Sequence, residues 1–336
     1  MNDKSVVKMV SERLDISDDA RGDYAEGCVE NAKRYSNYID ETTHPYVSNI
    51  SLPWPYIVIE SYLGKCVQML AGVLPYVRVV EEDDDSRQKA KAVEKDANMV
   101  LYKQKWPILA YNLYKQAFKF GTVFLLERPW ELYKGEEMPV FSVMNWFKVW
   151  TNPNCLYMDD DDQYLIYETF IPQRSFKKFA GNPNYKNLTN VQAIESIEEL
   201  HGEEEKSIRT YKGLADLKYD PYSKLVKTWV YWTNEDWHIV TNEDNVIRNG
   251  KNFLGKIPVK CIKPIPVEDE FYGMSILEQG KDLFAEASEN RNQYNDAVNL
   301  MLNPQYIIGR NCDVKKTNIT AKARAIKSMS RPAFGW

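Results

Sequence analysis

The sequence has few of the residues that usually carry catalysis or metal binding. It contains 3 histidines and 5 cysteines among 336 residues, and no Cys-x-x-Cys pair occurs. An odd number of widely spaced cysteines is typical of reduced, buried thiols, and not of a disulfide framework or a structural zinc site. We therefore expect no bound metal, and free thiols at Cys28, Cys66, Cys155, Cys261 and Cys312.

Motifs for nucleotide binding and catalysis are also missing. The chain has no Gly-x-x-x-x-Gly-Lys-Ser/Thr loop, no Gly-x-Ser-x-Gly elbow, no His-Glu-x-x-His and no Gly-x-Gly-x-x-Gly. Neighbouring carboxylates are frequent, but with 48 acidic residues such pairs say little about chemistry. We expect no catalytic residue and no cofactor, and a protein that is not an enzyme.

Long apolar runs and a basic excess are absent too. Apolar stretches such as residues 56–59 and 122–126 are too short to cross a bilayer, and residues 1–19 lack a signal-peptide core. This predicts a soluble protein that stays in the cell that makes it. The net charge of −5 argues against tight phosphate binding, although DNA could still pass through a weakly interacting channel.

Aromatic residues are plentiful. They make up 13% of the chain, with 22 Tyr and 9 Trp, in a sequence that is 44% apolar overall. That apolar content indicates a folded globular protein, and the length suggests about two domains. Tyr and Trp suit both half-buried strands and subunit interfaces, so these two interpretations stay open.

The first third of the chain has helical patterning. A helix over 18–40 would be capped by Ser17 or Asp18 and ended by His44 and Pro45. A second helix over 56–74 is apolar all round, which predicts burial. The acidic run 81–85 suits the start of a third helix over 86–103, and a fourth extends from Pro107 to Gly121.

After Gly121 the pattern becomes β-rich. Short aromatic and β-branched segments predict strands at 122–128, 140–150, 164–170, 225–233, 237–241 and 257–262, with helical insertions at 175–180 and 190–200. The four aspartates at 159–162 lack the spacing of a calcium loop, which favours a solvated turn, and the glutamates at 203–205 have the same interpretation.

Helical periodicity returns from residue 275. One apolar face would continue to residue 302, over roughly 40 Å, and Pro304 would close the helix before a strand at 305–309. The following segment, 310–331, carries seven basic residues against Asp313 alone. It is either a solvated basic surface or a contact with DNA or an acidic partner. Its basic residues are Arg310, Lys315, Lys316, Lys322, Arg324, Lys327 and Arg331.

Several segments, in this order, resemble the portal proteins (head-to-tail connectors) of tailed double-stranded DNA bacteriophages. They are NISLPWPYIVIESYLGK at 49–65, PYVRV at 75–79, KFGTVFLLE at 119–127, the stretch 141–160 with VWTNPN at 149–154, YGMSILE at 272–278, NRNQYNDAV at 290–298 and NP at 303–304. The likeness covers most of the chain. The run beginning at 272 is the most telling, because it resembles the start of the family's first stem helix.

The resemblance implies an α+β, portal-like fold. Residues 1–120 would be the helical N-terminal part of the wing, 121–275 its β-rich domain, 276–302 the first stem helix and 303–336 the start of the clip. Within this layout 52–271 corresponds to the family's wing and 305 onward to its clip. The chain would then represent the N-terminal half to two-thirds of a family member. The rest of the clip, a second stem helix and the crown would be absent.

The resemblance also implies a function and a set of partners. Portal subunits form a ring, typically of twelve, at one capsid vertex in the virion, after assembly in the host cytoplasm. Double-stranded DNA passes through the ring during packaging and ejection. The partners would be the terminase large subunit, head-completion or adaptor proteins, and the major capsid and scaffolding proteins, with no membrane.

The resemblance also implies that the polar face of the long helix points toward the channel. The channel-facing candidates are Lys281, Glu289, Asn292, Asp296 and Asn299. The candidates for contact with DNA or the motor are Arg310, Lys315, Lys316, Lys322, Arg324 and Lys327. Two alternatives remain: another virion structural or assembly protein, and an enzyme acting on carbohydrate through the Trp-rich strands at 229–237.

Overall fold

The computed structural model describes residues 2–39, 48–80, 87–133, 136–179, 185–189, 191–196, 200–212, 220, 222, 224–241 and 245–302. Helices and antiparallel sheets are combined in it, which confirms the predicted α+β class. The chain divides into two compact units. The first comprises residues 1–38 and 53–280, and the second comprises 39–52 and 281–336.

The helices are α1 Asp3–Tyr35, α2 Trp54–Ala71, α3 Arg87–Lys103, α4 Trp106–Phe120, α5 Glu203–Tyr211, α6 Ile276–Gln279 and α7 Lys281–Leu302. Two short 3-10 helices lie at Trp146–Lys148 and Gln173–Phe179. The strands are β1 Val123–Tyr133, β2 Glu136–Val143, β3 Val149–Thr151, β4 Tyr164–Pro172, β5 Leu225–Thr233, β6 Asp236–Thr241, β7 Asn245–Lys251 and β8 Val259–Ile262.

The first helix begins earlier than the sequence predicts. Ser17 lies inside α1 and is no cap: its hydroxyl donates to the carbonyl of Arg13 at 2.7 Å and hydrogen-bonds to the Tyr164 hydroxyl at 2.8 Å. Val6 and Val10 are buried in a core shared with the larger sheet, and this packing extends the helix to Asp3. The predicted end at His44 and Pro45 falls outside the described residues, and α1 itself ends at Tyr35.

The second helix was wrongly predicted to be buried all round. Only Pro55, Ile59, Leu63 and Ala71 of α2 are buried. Met69 is 84% exposed, and it is one of several apolar side chains of this helix that lie at the surface. Among the described residues α2 packs mainly against α4, with smaller contacts to α1 and α6, so several of its apolar side chains stay exposed.

Three further elements differ from the prediction. The long C-terminal helix is interrupted at Gly280, which separates α6 from α7. The helix predicted at 190–200 lies instead at Glu203–Tyr211, so Glu203, Glu204 and Glu205 form a helical first turn and no solvated loop. Strand β7 was missed, because its polar sequence lacks the apolar alternation of its neighbours.

The larger sheet has the order β3-β4-β5-β6-β7, all antiparallel, and both of its faces are covered. Tyr231 packs on one face with Val6 and Val10 of α1, whereas Trp232 belongs to the core on the other face. Both aromatic side chains are at most 5% exposed. The aromatic row considered for carbohydrate binding therefore lies largely in the two cores.

The smaller sheet has the order β2-β1-β8. Leu113 and Ala117 of α4 pack against Val123 and Leu125 of β1, so α4 covers one face of this sheet. At the outer edge of β2, the Gln104 side chain accepts from the Phe141 N–H at 2.8 Å and donates to the Pro139 carbonyl at 2.6 Å. The segment between α3 and α4 is thereby attached to β2.

Candidate functional site

Helix α7, which carries the predicted channel-facing residues, is amphipathic and open. None of its residues is buried, although apolar residues recur on one face. Leu283 is 70% exposed, Tyr294 61% and Met301 81%. Among the described residues nothing buries the apolar face of this 22-residue helix, whereas an amphipathic helix normally has that face covered.

The polar face of α7 is occupied by an extended stretch of the same unit, residues 48–52. The N–H of Ser48 donates to Asp296 Oδ1 at 2.7 Å, that of Ile50 to Asn292 Oδ1 at 2.8 Å, and that of Leu52 to Ser288 Oγ at 3.3 Å. Asn292 also donates through Nδ2 to the Ile50 carbonyl at 3.2 Å. We call residues 48–52 the strap.

The match between strap and helix has a simple geometric cause. Two residues of extended chain advance by roughly 6.6 Å, and four residues of α-helix by about 6.0 Å. Alternate backbone N–H groups therefore meet side chains at every fourth helical position, as they do at 288, 292 and 296. The same pattern recurs in the first unit, where Asn98 and Glu94 of α3 accept from the N–H groups of Val77 and Val79.

The five predicted channel residues all lie on the polar face of α7. Lys281, Glu289 and Asn299 are exposed, whereas Asn292 and Asp296 are half-buried under the strap. Their orientation toward a channel stays a prediction. The candidates for contact with DNA or the motor, from Arg310 to Lys327, lie outside the described residues, as does the predicted strand at 305–309.

A close contact between two glycines holds the segment that leads into α6. Gly121 has φ of 82°, and a Cβ atom added to it would come within 2.2 Å of the Gly273 carbonyl oxygen. A Cβ on Gly273 would lie 2.6 Å from the Gly121 carbonyl oxygen. Only glycine fits at either position, since real Cβ atoms do not approach backbone so closely. Two of the segments that carry the resemblance, 119–127 and 272–278, thus meet here.

Hydrogen bonds around this glycine contact are buried. The Gly273 N–H donates to Thr122 Oγ1 at 2.8 Å, and the Ser275 hydroxyl lies 2.9 Å from the carbonyl oxygens of both Phe118 and Lys119. Ser275 also accepts from the Leu277 N–H at 3.1 Å and so caps α6. The start of α6 is therefore fixed to the end of α4.

Aromatic rings complete this region. Tyr24 of α1 stacks on Tyr272 with ring centroids 4.6 Å apart, and its hydroxyl donates to the Phe120 carbonyl. Burial raises the pKa of both tyrosine hydroxyls and of the neighbouring Cys28 thiol. These groups stay protonated and act as packing and hydrogen-bonding groups.

A half-buried ion network lines a cleft of about 240 Å³ in the first unit. Lys148 Nζ lies 3.2 Å from Glu168 and 3.5 Å from Glu205, and Lys227 lies 3.0 Å from Glu168. His201 Nδ1 is 2.9 Å from Glu205. Glu168 and Glu205 each have a cationic partner, and these ion pairs tie α5 to the larger sheet.

Lys119 of α4 is buried without a carboxylate within ion-pair distance among the described residues. Its side chain is 5% exposed, and its Nζ lies 5.1 Å from the Tyr35 ring centroid and 4.8 Å from that of Phe120. Burial, together with the charges of Lys212 and Lys115, lowers the pKa of Lys119 to about 7. The sequence contains no signal for this group, because a lysine on an amphipathic helix normally reaches solvent.

Two further observations concern the described residues only. No three side chains of His, Cys, Asp or Glu converge there in a way that could hold a metal ion. None of the helices in the described ranges is both long and apolar enough to span a membrane. Comparison with known families finds no matching family model, and comparison with curated proteins finds no match either.

Proposed function

We propose that this chain is a portal protein of a tailed double-stranded DNA bacteriophage, a structural ring subunit that has no catalytic role. The exposed apolar face of α7 carries this proposal. A ring places copies of one helix side by side around an axis, and each apolar face is then covered by a neighbouring copy. The opposite, polar face of the same helix already has a partner within the chain, because the strap is hydrogen-bonded to it.

The other properties of the chain are compatible with a conduit. A net charge of −5 suits a channel through which double-stranded DNA passes without being held. The ring, with twelve subunits in the family it resembles, would stand at one capsid vertex of the virion. It would dock the terminase large subunit and the head-completion proteins, and would contact the capsid and scaffolding proteins.

The proposal is tested by imaging the purified protein and by interrupting α7. We expect rings with a central hole in negative-stain images of the unmodified chain. Ala287→Pro should abolish them, because proline inside a helix costs about 3 kcal/mol or more. Ala287→Ser keeps the helix and should keep the rings. A chain that is monomeric at every concentration, or rings formed equally well by Ala287→Pro, would refute the proposal.

A further inference from the structure

Helix α3 presents an exposed face of mixed basic and apolar character. Lys91, Lys95, Met99 and Tyr102 follow one another at intervals of four, four and three residues, which places them on one side of the helix. All four are exposed; Met99 is 46% and Tyr102 65% exposed. We call these four residues the α3 face.

A second exposed surface has the opposite charge. The turn at residues 156–162 exposes Leu156 and Tyr157, the latter at 67%, together with Asp159, Asp161 and Asp162. Asp160 gives the turn its shape, because its Oδ2 accepts from the N–H groups of Leu156 and Tyr157 at 2.9 Å each. We call residues 156–162 the acidic turn.

The two surfaces are attached to the two outer strands of the smaller sheet. Gln104, one residue beyond α3, is bonded to the outer edge of β2. The acidic turn is held next to β8, where Lys260 pairs with Asp159 at 3.4 Å and Lys263 donates to the Leu156 carbonyl at 3.0 Å. Because β1 separates β2 from β8, the attachment points lie at the two opposite edges of this three-stranded sheet.

We infer that the α3 face of one copy binds the acidic turn of the next copy. Subunits that repeat head to tail around a ring need two different, complementary patches on opposite sides of each copy. The α3 face has lysines beside Met and Tyr, and the acidic turn has aspartates beside Leu and Tyr, so the two patches are complementary in both charge and apolar character. The inference rests on the proposed ring, and it identifies the surfaces that would close it.

A charge-reversal experiment tests this contact. Lys91→Glu/Lys95→Glu and, separately, Asp161→Lys/Asp162→Lys should each require at least about tenfold more protein to assemble, because like charges would then face each other. Mixing the two variants should restore mixed assemblies, in which a reversed α3 face meets a reversed acidic turn. Light scattering and native mass spectrometry on the full chain give the readout.

Lys177→Glu/Lys178→Glu is the matched control, because it reverses two exposed lysines on a 3-10 helix that belongs to neither patch. This control should assemble as the unmodified chain does. If the unmodified chain and both reversal variants form the same rings, the contact lies elsewhere and this inference alone is overturned. If the unmodified chain forms no ring, the proposed function fails and this inference fails with it.

Discussion

At the scale of single residues, the buried Lys119 makes a prediction about pH. Its pKa near 7 in the folded chain lies below the usual value of 10.5, so the unfolded chain binds more protons between these values. The Lys119 contribution to stability therefore rises with pH above 7. Lys119→Met removes a buried amine, and we expect a gain of about 2 kcal/mol at pH 7.

The measurement is urea unfolding of both proteins at pH 7, 8 and 9. The difference in unfolding free energy between Lys119→Met and the unmodified chain should shrink as pH rises. Lys119 gives up its proton on folding, and at higher pH removing that proton costs less free energy. A constant difference across this range would show that Lys119 is not desolvated.

The contact between Gly121 and Gly273 makes a second prediction. Gly273→Ala would place its Cβ 2.6 Å from the Gly121 carbonyl oxygen and 2.8 Å from that of Ile265, so backbone has to move. We expect a loss of at least about 3 kcal/mol in unfolding free energy, measured by urea titration.

Gly27→Ala is the control for that substitution. Gly27 lies inside α1 with nothing within 4 Å of an added Cβ, so alanine there should stabilise the chain by about 0.5–1 kcal/mol. Equal effects of the two substitutions would contradict the close packing at Gly273.

At the scale of elements, the strap gives the most direct test. Asn292→Ala removes the acceptor of the Ile50 N–H and the donor to the Ile50 carbonyl. Loss of about 1 kcal/mol of hydrogen bonding should make amide exchange at Ile50 about fivefold faster. Hydrogen exchange with mass spectrometry measures this rate for the peptide that contains the strap.

Asn299→Ala is the matched control on the same face of α7, since Asn299 is exposed and lies beyond the strap contacts. Exchange at Ile50 should be unchanged in that variant. Should Asn292→Ala also leave it unchanged, the strap is not held by the helix.

The same elements show what the sequence could predict and why the rest escaped. Strand β5 has the predicted bounds, because alternating residues and turn signals at both ends are local. Helix α4 ends at Gly121 as predicted, since a left-handed C-cap is also local. The strap was missed, because its partners are more than 230 residues away. The sequence signal that could have indicated it is the spacing of polar side chains at every fourth position, 288, 292 and 296, on one face of the helix.

At the scale of the whole molecule, the buried apolar residues within the described ranges all belong to the first unit. The buried core extends from Val6 to Leu277, and no buried residue comes from 48–52 or 281–302 among the residues described. A chain ending at Gly280 should therefore keep its fold, with a melting midpoint shifted by less than about 3 °C, but should form no rings. Calorimetry and light scattering check the two halves of this prediction.

The relevant comparison is with the full chain at equal concentration. A shortened protein that unfolds without cooperativity would mean that α7 supports the core of the first unit. A shortened protein that still forms rings would remove α7 from the assembly contact.

The ladder between strap and helix has a consequence for how this region can change over evolution. Its hydrogen bonds use only main-chain groups at positions 48, 50 and 52, so they place no requirement on the side chains there. Proline is the exception, because it has no N–H to donate. The ladder therefore tolerates a change of side chain at positions 48, 50 and 52, whereas it restricts Ser288, Asn292 and Asp296 to side chains that accept a hydrogen bond.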